Sequence, residues 1–274
     1  MAEHTPVTTA VVAAAGSATR MWPASKVVPK ELFPLGRLPA IAHLVSEFVA
    51  AGIRRIILVV AKQNMQLMRG VFDRSVRPPS KLADDPLIRA FENTLEVAEL
   101  TFLEQSGNYG NATPLIIAAE EVRGHPCIYA FGDDVIFGEN ATEALLSVYE
   151  RTGRPVLGAQ EVDPAKRSSF GILECFDEEG ILYIRRLVEK PGPGVTESNL
   201  ASFGRYLVTP DLLETLITIR PGKDGEIWFV DGVIQQIAVG KKVCARALST
   251  GTWYTVGDPQ SYAKAVRAAT DISG

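Results

Sequence analysis

The chain has 274 residues, of which 46% are hydrophobic and 22% are charged. This composition excludes a disordered or low-complexity protein, and the length is ample for a buried core. Lys and Arg number 28 against 32 Asp and Glu, so the net charge of −4 argues against a nucleic-acid-binding protein, and we expect no nucleic-acid partner.

The three cysteines, Cys127, Cys175 and Cys244, stand far apart and form no Cys-x-x-Cys pair. This spacing argues against a zinc site and against a disulfide framework, and it is typical of a reduced compartment. Apolar runs reach about six residues, as at Ile56–Ala61, whereas a membrane span needs ~20. The N-terminus resembles no signal peptide. We therefore expect a cytoplasmic protein with no membrane partner.

In the first half of the chain, short apolar runs alternate with segments of helical periodicity. Thr9–Ala14 predicts a strand, Leu38–Ala51 a helix that ends near Gly52, Arg55–Ala61 a buried strand and Asn64–Phe72 a helix. Further strands are predicted at Glu99–Glu104, Pro126–Phe131 and Pro155–Val162. This alternation predicts an α/β fold with a doubly wound parallel sheet that helices cover on both faces.

The pattern changes after residue 165. Two strands, Gly171–Phe176 and Leu182–Val188, flank a turn at Asp177–Gly180, which is typical of a β-hairpin. Thr209 and Asp258 each precede a proline, a pattern that predicts the start of a helix. Because no repeat or linker interrupts the sequence, we expect one domain over residues 1–274 with an inserted subdomain.

The segment Ala13–Leu35, AAAGSATRMWPASKVVPKELFPL, combines small residues with cations. It follows a buried strand, and the carboxyl ends of strands in doubly wound sheets are where ligands bind. Small side chains let backbone N–H groups approach a phosphate, and the charges of Arg20 and Lys30 would neutralise it. The spacing alone fits a solvated loop equally well, since it matches neither a P-loop nor the G-x-G-x-x-G fingerprint of dinucleotide-dependent oxidoreductases.

The same segment resembles the signature G-x-G-T-R-x-x-P…K-x-x-P-K-x-x-x-P of the sugar-1-phosphate nucleotidylyltransferases, and within them the bacterial UTP–glucose-1-phosphate uridylyltransferases. The resemblance continues through further motifs in the same order and covers about nine-tenths of the chain. These motifs are Glu104-Gln105, Asn108-Tyr109-Gly110, Phe131-Gly132-Asp133-Asp134, Ser169-Phe170-Gly171, Glu189-Lys190-Pro191, Ser198-Asn199-Leu200-Ala201, Gly204-Arg205-Tyr206 and Gly225-Glu226-Ile227…Asp231.

The resemblance implies a Rossmann-like mixed sheet of the nucleotide-diphospho-sugar transferase type. Residues 1–160 would form the nucleotide-binding part, and residues 161–274 the sugar-phosphate-binding part with a C-terminal helix. The implied reaction is the Mg²⁺-assisted transfer of a nucleotidyl group from UTP to a hexose 1-phosphate, with glucose 1-phosphate favoured. The implied partners are these two substrates and further copies of the chain, in a homodimer or homotetramer.

Site residues are also implied by the resemblance, although each alone would be read as a surface ion pair, a cap or a strand end. Arg20, Lys30 and Asp133 would be catalytic, and Asp133 and Asp231 would hold Mg²⁺. The nucleotide would contact Ala14, Ala15, Gly16, Ser17, Ala18, Thr19, Gln105 and Gly110. The sugar phosphate would contact Phe170, Gly171, Glu189, Lys190 and Asn199. We expect the Gly110 position to lie against the nucleoside, where a side chain would block the ring.

Four positions depart from the pattern of the family. Ala18 replaces the second glycine, Asn111 a usual histidine, Phe170 a usual tyrosine and Thr255 a usual aspartate. A more apolar stretch also precedes Asp231. These departures leave three alternatives open: another nucleotide such as dTTP or GTP, an unusual sugar or cyclitol phosphate, and a nucleotide-binding regulator without turnover.

Overall fold

The structure is a computed structural model that describes residues 4–107, 110–222 and 225–273. The strands in these ranges are β1 (Thr9–Ala14), β2 (Pro34–Leu35), β3 (Leu38–Pro39), β4 (Arg55–Val60), β5 (Glu99–Glu104), β6 (Cys127–Phe131), β7 (Asp134–Phe137), β8 (Val156–Glu161), β9 (Gly171–Glu178), β10 (Ile181–Glu189), β11 (Leu200–Val208), β12 (Cys244–Ala247) and β13 (Thr252–Thr255). The α-helices are α1 (Ala40–Ala50), α2 (Met65–Val71), α3 (Pro86–Val97), α4 (Thr113–Ile117), α5 (Ala119–Val122), α6 (Ala141–Thr152), α7 (Pro210–Thr218), α8 (Phe229–Ala238) and α9 (Pro259–Ser273).

Nine of the described strands form one sheet, in the order β5-β4-β1-β6-β11-β8-β12-β10-β9. The four strands β5, β4, β1 and β6 run parallel to one another. β1 lies between β4 and β6, and its residues Ala10, Val11 and Val12 are completely buried. A strand covered on both faces needs apolar side chains on both faces, which is why this segment is a continuous apolar run.

The two faces of the sheet belong to separate apolar cores. Val12 faces a core to which α1 contributes Phe48 and α6 contributes Leu145. Val11 faces the opposite core, which contains Leu115 of α4 together with side chains from α7 and α8. This alternation is the two-residue period of a strand. The predicted doubly wound arrangement is thereby confirmed.

The other half of the sheet is antiparallel or mixed. β11 runs antiparallel to both β6 and β8, β12 is parallel to β8, and β10 is antiparallel to both β12 and β9. The parallel sheet that the strand–helix alternation predicts for the first half of the chain is present in β5, β4, β1 and β6. The mixed sheet implied by the family resemblance is confirmed. The predicted hairpin is β9–β10, and its turn residues Glu179 and Gly180 both have positive φ. Such a two-residue turn matches the twist of paired strands.

Most predicted boundaries agree with the structure to within two residues. Helix α1 starts at Ala40 and not at Leu38, because Leu38 and Pro39 pair with the β2 strand. Gly52 follows the helix with φ +84°, as expected of a residue that ends a helix. Helix α9 begins after Asp258, whose carboxylate accepts hydrogen bonds from the backbone N–H groups of Gln260 and Ser261.

The cysteines Cys127, Cys175 and Cys244 are all free thiols, as predicted. Among the described residues, none of the helices has the length and apolar character that crossing a membrane requires.

Candidate active site

Strands β1 and β6 are adjacent and end at the same edge of the sheet. From β1 the chain continues to β4 on one side, whereas β6 lies on the other side. This reversal of strand order opens a crevice at the carboxyl ends, which is where open α/β sheets bind ligands. Two neighbouring cavities lie there, and we call them the inner and the outer cavity.

The inner cavity has a volume of about 210 Å³ and the outer one of about 450 Å³. The inner cavity is lined by Ala13, Ala15, Gly16, Lys30, Glu31, Gln105, Gly110, Asn111, Pro114, Phe131 and Asp133. The outer cavity is lined by Arg20, Asn111, Phe131, Asp133, Asp134, Lys166, Ser169, Phe170, Gly171, Glu189, Ser202, Phe203, Gly204, Tyr206, Val230, Trp253, Thr255, Asp258, Gln260, Ser261 and Lys264. Asn111, Phe131 and Asp133 line both cavities, so they stand at the junction.

Lys30 and Asp133 form an ion pair at this junction. The distance from Lys30 Nζ to Asp133 Oδ2 is 2.5 Å, and each side chain is 14% exposed. Burial by itself lowers the pKa of Lys30, but attraction to Asp133 and Glu31 outweighs burial and raises that pKa above its ordinary value. Lys30 is therefore a fixed positive charge at the point where the two cavities meet.

Glu31 is a buried carboxylate that the sequence analysis did not single out. The residue is 1% exposed, and its Oε1 lies 4.0 Å from Lys30 Nζ. Oε2 has no hydrogen-bond partner among the described residues. Burial raises the pKa of Glu31 to about 7, and Asp133 contributes to the increase although Lys30 opposes it. The sequence signal available was a carboxylate directly after a motif lysine, which does not reveal burial.

Only some of the small residues in the loop after β1 line a cavity. Ala15 and Gly16 line the inner cavity, and a Cβ on Gly16 would lie 3.6 Å from Lys30 Nζ. Ala14 is 1% exposed and packs in the core, so it faces away from the cavity. Ala18 has φ +48°. An alanine in this left-handed conformation costs roughly 1–2 kcal/mol, which a glycine would avoid.

The rest of the loop, Ser17, Ala18 and Thr19, leads to Arg20 without lining either cavity. Arg20 itself lines the outer cavity. A Cβ on Gly257 would lie 3.0 Å from Asp133 Oδ2, 3.2 Å from Thr255 Oγ1 and 3.3 Å from Arg20 Nη2. Gly257, which the sequence analysis did not propose for the site, therefore lets the segment before α9 pack against two proposed catalytic groups.

Asp134 lies next to Asp133 and contacts strand β11 through Gly204 and Arg205. Its Oδ2 accepts a hydrogen bond of 2.9 Å from Gly204 N. Burial, with a contribution from Asp133, raises the pKa of Asp134 to about 6, although its hydrogen bonds and Arg205 oppose the increase. The backbone oxygen of Asp134 also accepts a hydrogen bond from Arg205 Nη2 at 3.4 Å. These contacts fix the turn that carries Asp133.

On the nucleotide side, Gln105 and Gly110 both line the inner cavity. The structure shows a further reason for a glycine at position 110, and the expected contact of Gly110 with the nucleoside stays a prediction. Gly110 has φ +141°, and a Cβ there would overlap the backbone of Ile227. Glycine is required because two backbone segments approach each other at this point. Asn108 and Tyr109 lie outside the described residues.

On the sugar side, Phe170, Gly171 and Glu189 line the outer cavity. A Cβ on Gly171 would lie 3.0 Å from Glu189 Oε2, so the missing side chain leaves room for that carboxylate. Lys190 has φ +45° and lines neither cavity. Its Nζ lies 5.1 Å from the centre of the Trp228 ring and 3.6 Å from Glu189 Oε1.

Two further predicted residues stand apart from the cavity walls. Asn199 Oδ1 accepts a hydrogen bond of 2.7 Å from Arg167 Nε, and Asn199 lines neither cavity. Asp231 lies in the first turn of α8, next to the lining residue Val230. Burial raises the pKa of Asp231. The described residues contain no group of three or more His, Cys, Asp or Glu side chains that could hold a metal ion.

Comparisons with known proteins agree over nearly the whole chain. The family model described as "Nucleotidyl transferase" matches residues 9–272. UTP–glucose-1-phosphate uridylyltransferase 2 of Staphylococcus saprophyticus subsp. saprophyticus is 33% identical over 260 residues, which cover 93% of this chain and 89% of that protein. UTP–glucose-1-phosphate uridylyltransferase of Staphylococcus haemolyticus is 33% identical over 229 residues, covering 82% and 79% of the two chains.

The structural comparison extends the sequence relationship. The crystal structure of a UDP-glucose pyrophosphorylase complexed with UDP-glucose matches with a TM-score of 0.87 at 26% identity. The match covers 97% of this chain and 100% of that one.

Proposed function

Since the chain belongs to the nucleotidyl transferase family, we propose that it transfers a uridylyl group from UTP to glucose 1-phosphate. The products are UDP-glucose and pyrophosphate. Relatives 33% identical over most of the chain are named for this activity, which supports the choice of substrates. The observation that carries the proposal is the Lys30–Asp133 pair at the junction of two cavities.

The reaction brings two polyanions into contact. An oxygen of the sugar 1-phosphate forms a bond to the α-phosphorus of UTP, and the bond from that phosphorus to the bridging oxygen of the β-phosphate breaks. The electron pair leaves with pyrophosphate. Positioning and charge neutralisation dominate such a transfer. If the inner cavity holds the nucleoside and the outer cavity the sugar, the α-phosphate lies at the junction between them. The positive charge of Lys30 is then next to the α-phosphate.

The remaining roles follow from this placement. The Gln105 carboxamide has both a donor and an acceptor and would bind the edge of uracil in the inner cavity. Arg20 would bind phosphate oxygens with its planar guanidinium group. Glu189 would accept hydrogen bonds from sugar hydroxyls in the outer cavity. Lys190 would have to leave the Trp228 ring to reach the 1-phosphate.

A magnesium ion fits the donor set around Asp133. Mg²⁺ takes hard oxygen ligands, and in phosphate-transferring sites one or two protein carboxylates are typical, with phosphate oxygens and water completing the shell. Asp133 presents a carboxylate at the cavity junction, and Asp231 is the second carboxylate that the resemblance implies. When bound, the ion would supply positive charge to the phosphate oxygens.

The test is pyrophosphate release measured with five nucleotides, namely UTP, dTTP, GTP, ATP and CTP, against several phosphates. These are glucose 1-phosphate, galactose 1-phosphate and a cyclitol phosphate. We expect the highest kcat/KM for UTP with glucose 1-phosphate. A clear preference for dTTP or GTP would contradict the nucleotide assignment. Binding of UTP without turnover on any acceptor would favour the regulator.

The structure also has room for acceptors larger than those in the panel. The outer cavity adjoins a further cavity of about 280 Å³ that shares Lys166, Phe170 and Trp253 with it. An acceptor that is bulkier than glucose 1-phosphate has room to extend in this direction. Self-association as a dimer or tetramer, a cytoplasmic location and the division of the domain at residue 160 stay predictions.

A further inference from the structure

Asn111 stands between the two cavities, and its side chain contacts a residue that is distant in the sequence. Asn111 Oδ1 accepts a hydrogen bond of 2.7 Å from the backbone N–H of Phe229, the first residue of α8. The residue before it, Trp228, makes no side-chain cap of its own. The first N–H groups of a helix need acceptors from outside the helix. Asn111 therefore caps a helix that begins 118 residues later.

Two more contacts join the same segments. Ala112 N donates a hydrogen bond of 3.0 Å to Ile227 O, and Gly110 packs directly on the Ile227 backbone. The backbone oxygen of Asn111 accepts a hydrogen bond from the hydroxyl of Tyr129 on β6, which is completely buried. The loop 110–112 is thus fixed to the sheet and to the start of α8 at once.

The start of α8 carries groups that belong to the other substrate. Trp228 lies under the ammonium group of Lys190, the proposed phosphate-binding lysine, and Val230 lines the outer cavity. Gly110 and Asn111 line the inner cavity. The hydrogen bond from Phe229 to Asn111 is therefore a direct link between the wall of the nucleotide cavity and the residues under the sugar-phosphate lysine.

We propose that Asn111 is a positioning residue that couples the two substrate sites, so that each substrate binds more tightly when the other is present. The proposal rests on the proposed function, because it takes the inner cavity as the nucleotide site and the outer one as the sugar-phosphate site. Coupling between two sites is reciprocal and needs an element whose placement both ligands influence. The loop 110–112 and the first turn of α8 form that element.

The coupling is measured as a ratio of dissociation constants. Calorimetry gives the Kd of α,β-methylene-UTP, which cannot be cleaved at the α-phosphorus, without and with saturating glucose 1-phosphate. Should the panel show a different preferred pair, the corresponding methylene analogue and acceptor take their place. For the wild type we expect the acceptor to tighten binding about tenfold, within the range usual for coupled sites.

Two variants separate coupling from folding. Asn111→Leu removes the acceptor at nearly constant size, and we expect the ratio of Kd values to fall to within about twofold of one. Asn111→Asp keeps an acceptor oxygen at the same place. Its added charge weakens nucleotide binding overall, but the ratio stays within about threefold of the wild-type value. In Asn111→Leu, hydrogen exchange of the Phe229 amide becomes faster, whereas in Asn111→Asp it stays protected.

An unchanged ratio in Asn111→Leu, or a wild-type ratio of one, would overturn the inference while leaving the proposed function intact. A merely structural role of Asn111 would change the melting temperature and both Kd values without changing their ratio. A wild type that binds no pair of substrates would contradict the proposed function and the inference together.

Discussion

At the scale of single residues, Lys30 and Asp133 are brought together from positions 103 residues apart. Both residues follow strands of the parallel half of the sheet, β1 and β6, so their meeting is a consequence of strand order. The proposed chemistry would need this pair to be charged and fixed, because the phosphates that would enter the cavities are charged as well.

Asp133→Asn tests this pair with almost no change of shape. The substitution removes the negative partner of Lys30 and the carboxylate that would bind magnesium, so we expect kcat to fall at least about 100-fold, the size typical when one charge-stabilising group is lost. Steady-state pyrophosphate release measures the effect. Asp84→Asn is the matched control, because the Asp84 side chain is 95% exposed and should leave kcat unchanged. Retention of full activity in Asp133→Asn would contradict the role of Asp133.

The buried Glu31 leads to a second prediction, about how the unfolding free energy depends on pH. Its pKa is about 7 in the folded protein against a reference of 4.5, so between these values the folded state binds more protons than the unfolded state. The unfolding free energy must then fall as pH rises from about 4.5 to about 7, by roughly 3 kcal/mol for this group. Glu31→Gln should remove this fall.

Denaturant titrations at several pH values, without nucleotide or metal, measure the effect. The difference in unfolding free energy between Glu31→Gln and wild type should grow toward pH 7. Glu99→Gln, at an exposed position of β5, provides the control and should follow the wild type at every pH. A constant difference between Glu31→Gln and wild type would show that the carboxyl group does not titrate in this window.

Some of these residues could be predicted from the sequence, and others could not. Lys30 and Asp133 were accessible because charged residues after apolar strands combine with a recognisable motif. The burial of Glu31 was not accessible, since the side chains that cover it come from other parts of the chain. The orientation of Lys190 over Trp228 and the contact of Asn199 with Arg167 depend on side-chain packing, which a motif does not encode.

At the scale of elements, strand β11 shows why a glycine stands in the Gly204-Arg205-Tyr206 motif. A Cβ on Gly204 would lie 2.6 Å from Asp134 Oδ2 and would overlap the ring of Phe131. β11 is paired with β6 from Arg205 onward, so it cannot move away from Phe131. The glycine lets the strand pass close to the turn that carries Asp133.

Gly204→Ala should therefore destabilise the protein by about 1–3 kcal/mol, the usual cost of overpacking. It should also lower kcat, because Phe131 and Asp134 flank the proposed reacting centre. Unfolding in urea and steady-state kinetics measure the two effects. Gly70→Ala, in helix α2 with no atom near the added methyl group, should instead raise the unfolding free energy by about 0.5–1 kcal/mol. Equal effects of the two substitutions would exclude the close approach as the reason for Gly204.

Element boundaries were predictable where local chemistry sets them. The proline after Asp258 and the glycine in the β9–β10 turn mark their elements in any context. The direction of β11 was not predictable, because the choice between parallel and antiparallel pairing depends on where the connection before the strand leads. The residue pattern within 200–208 does not predict the path of that connection.

At the scale of the whole molecule, a buried ion pair joins four elements behind the site. Arg205 of β11 is completely buried, and its Nε and Nη2 donate to the two carboxylate oxygens of Glu47 on α1 at 3.0 and 2.9 Å. Glu47 Oε1 also accepts hydrogen bonds from Thr142 on α6. Arg205 in turn contacts the backbone of Asp134 on β7.

Glu47→Gln leaves the Arg205 charge buried without its counter-charge. Breaking a buried pair in this way typically costs about 3–5 kcal/mol, and we expect a loss near 3 kcal/mol because the carboxamide retains one acceptor. Chemical denaturation measures it. The exposed pair Glu120–Arg123, with side chains 75% and 73% exposed, provides the control. Glu120→Gln should change stability by less than about 0.5 kcal/mol, and a similarly small loss in Glu47→Gln would contradict the role of the buried pair.

The order in which the outer cavity is assembled has a consequence for protein synthesis. Its wall includes Trp253, Thr255 and Asp258, with Gln260, Ser261 and Lys264 in the first turns of α9. Translation adds these residues after every other lining residue. A nascent chain on the ribosome therefore already contains Lys30 and Asp133, but the compartment proposed for the acceptor is not closed until this last stretch emerges and folds.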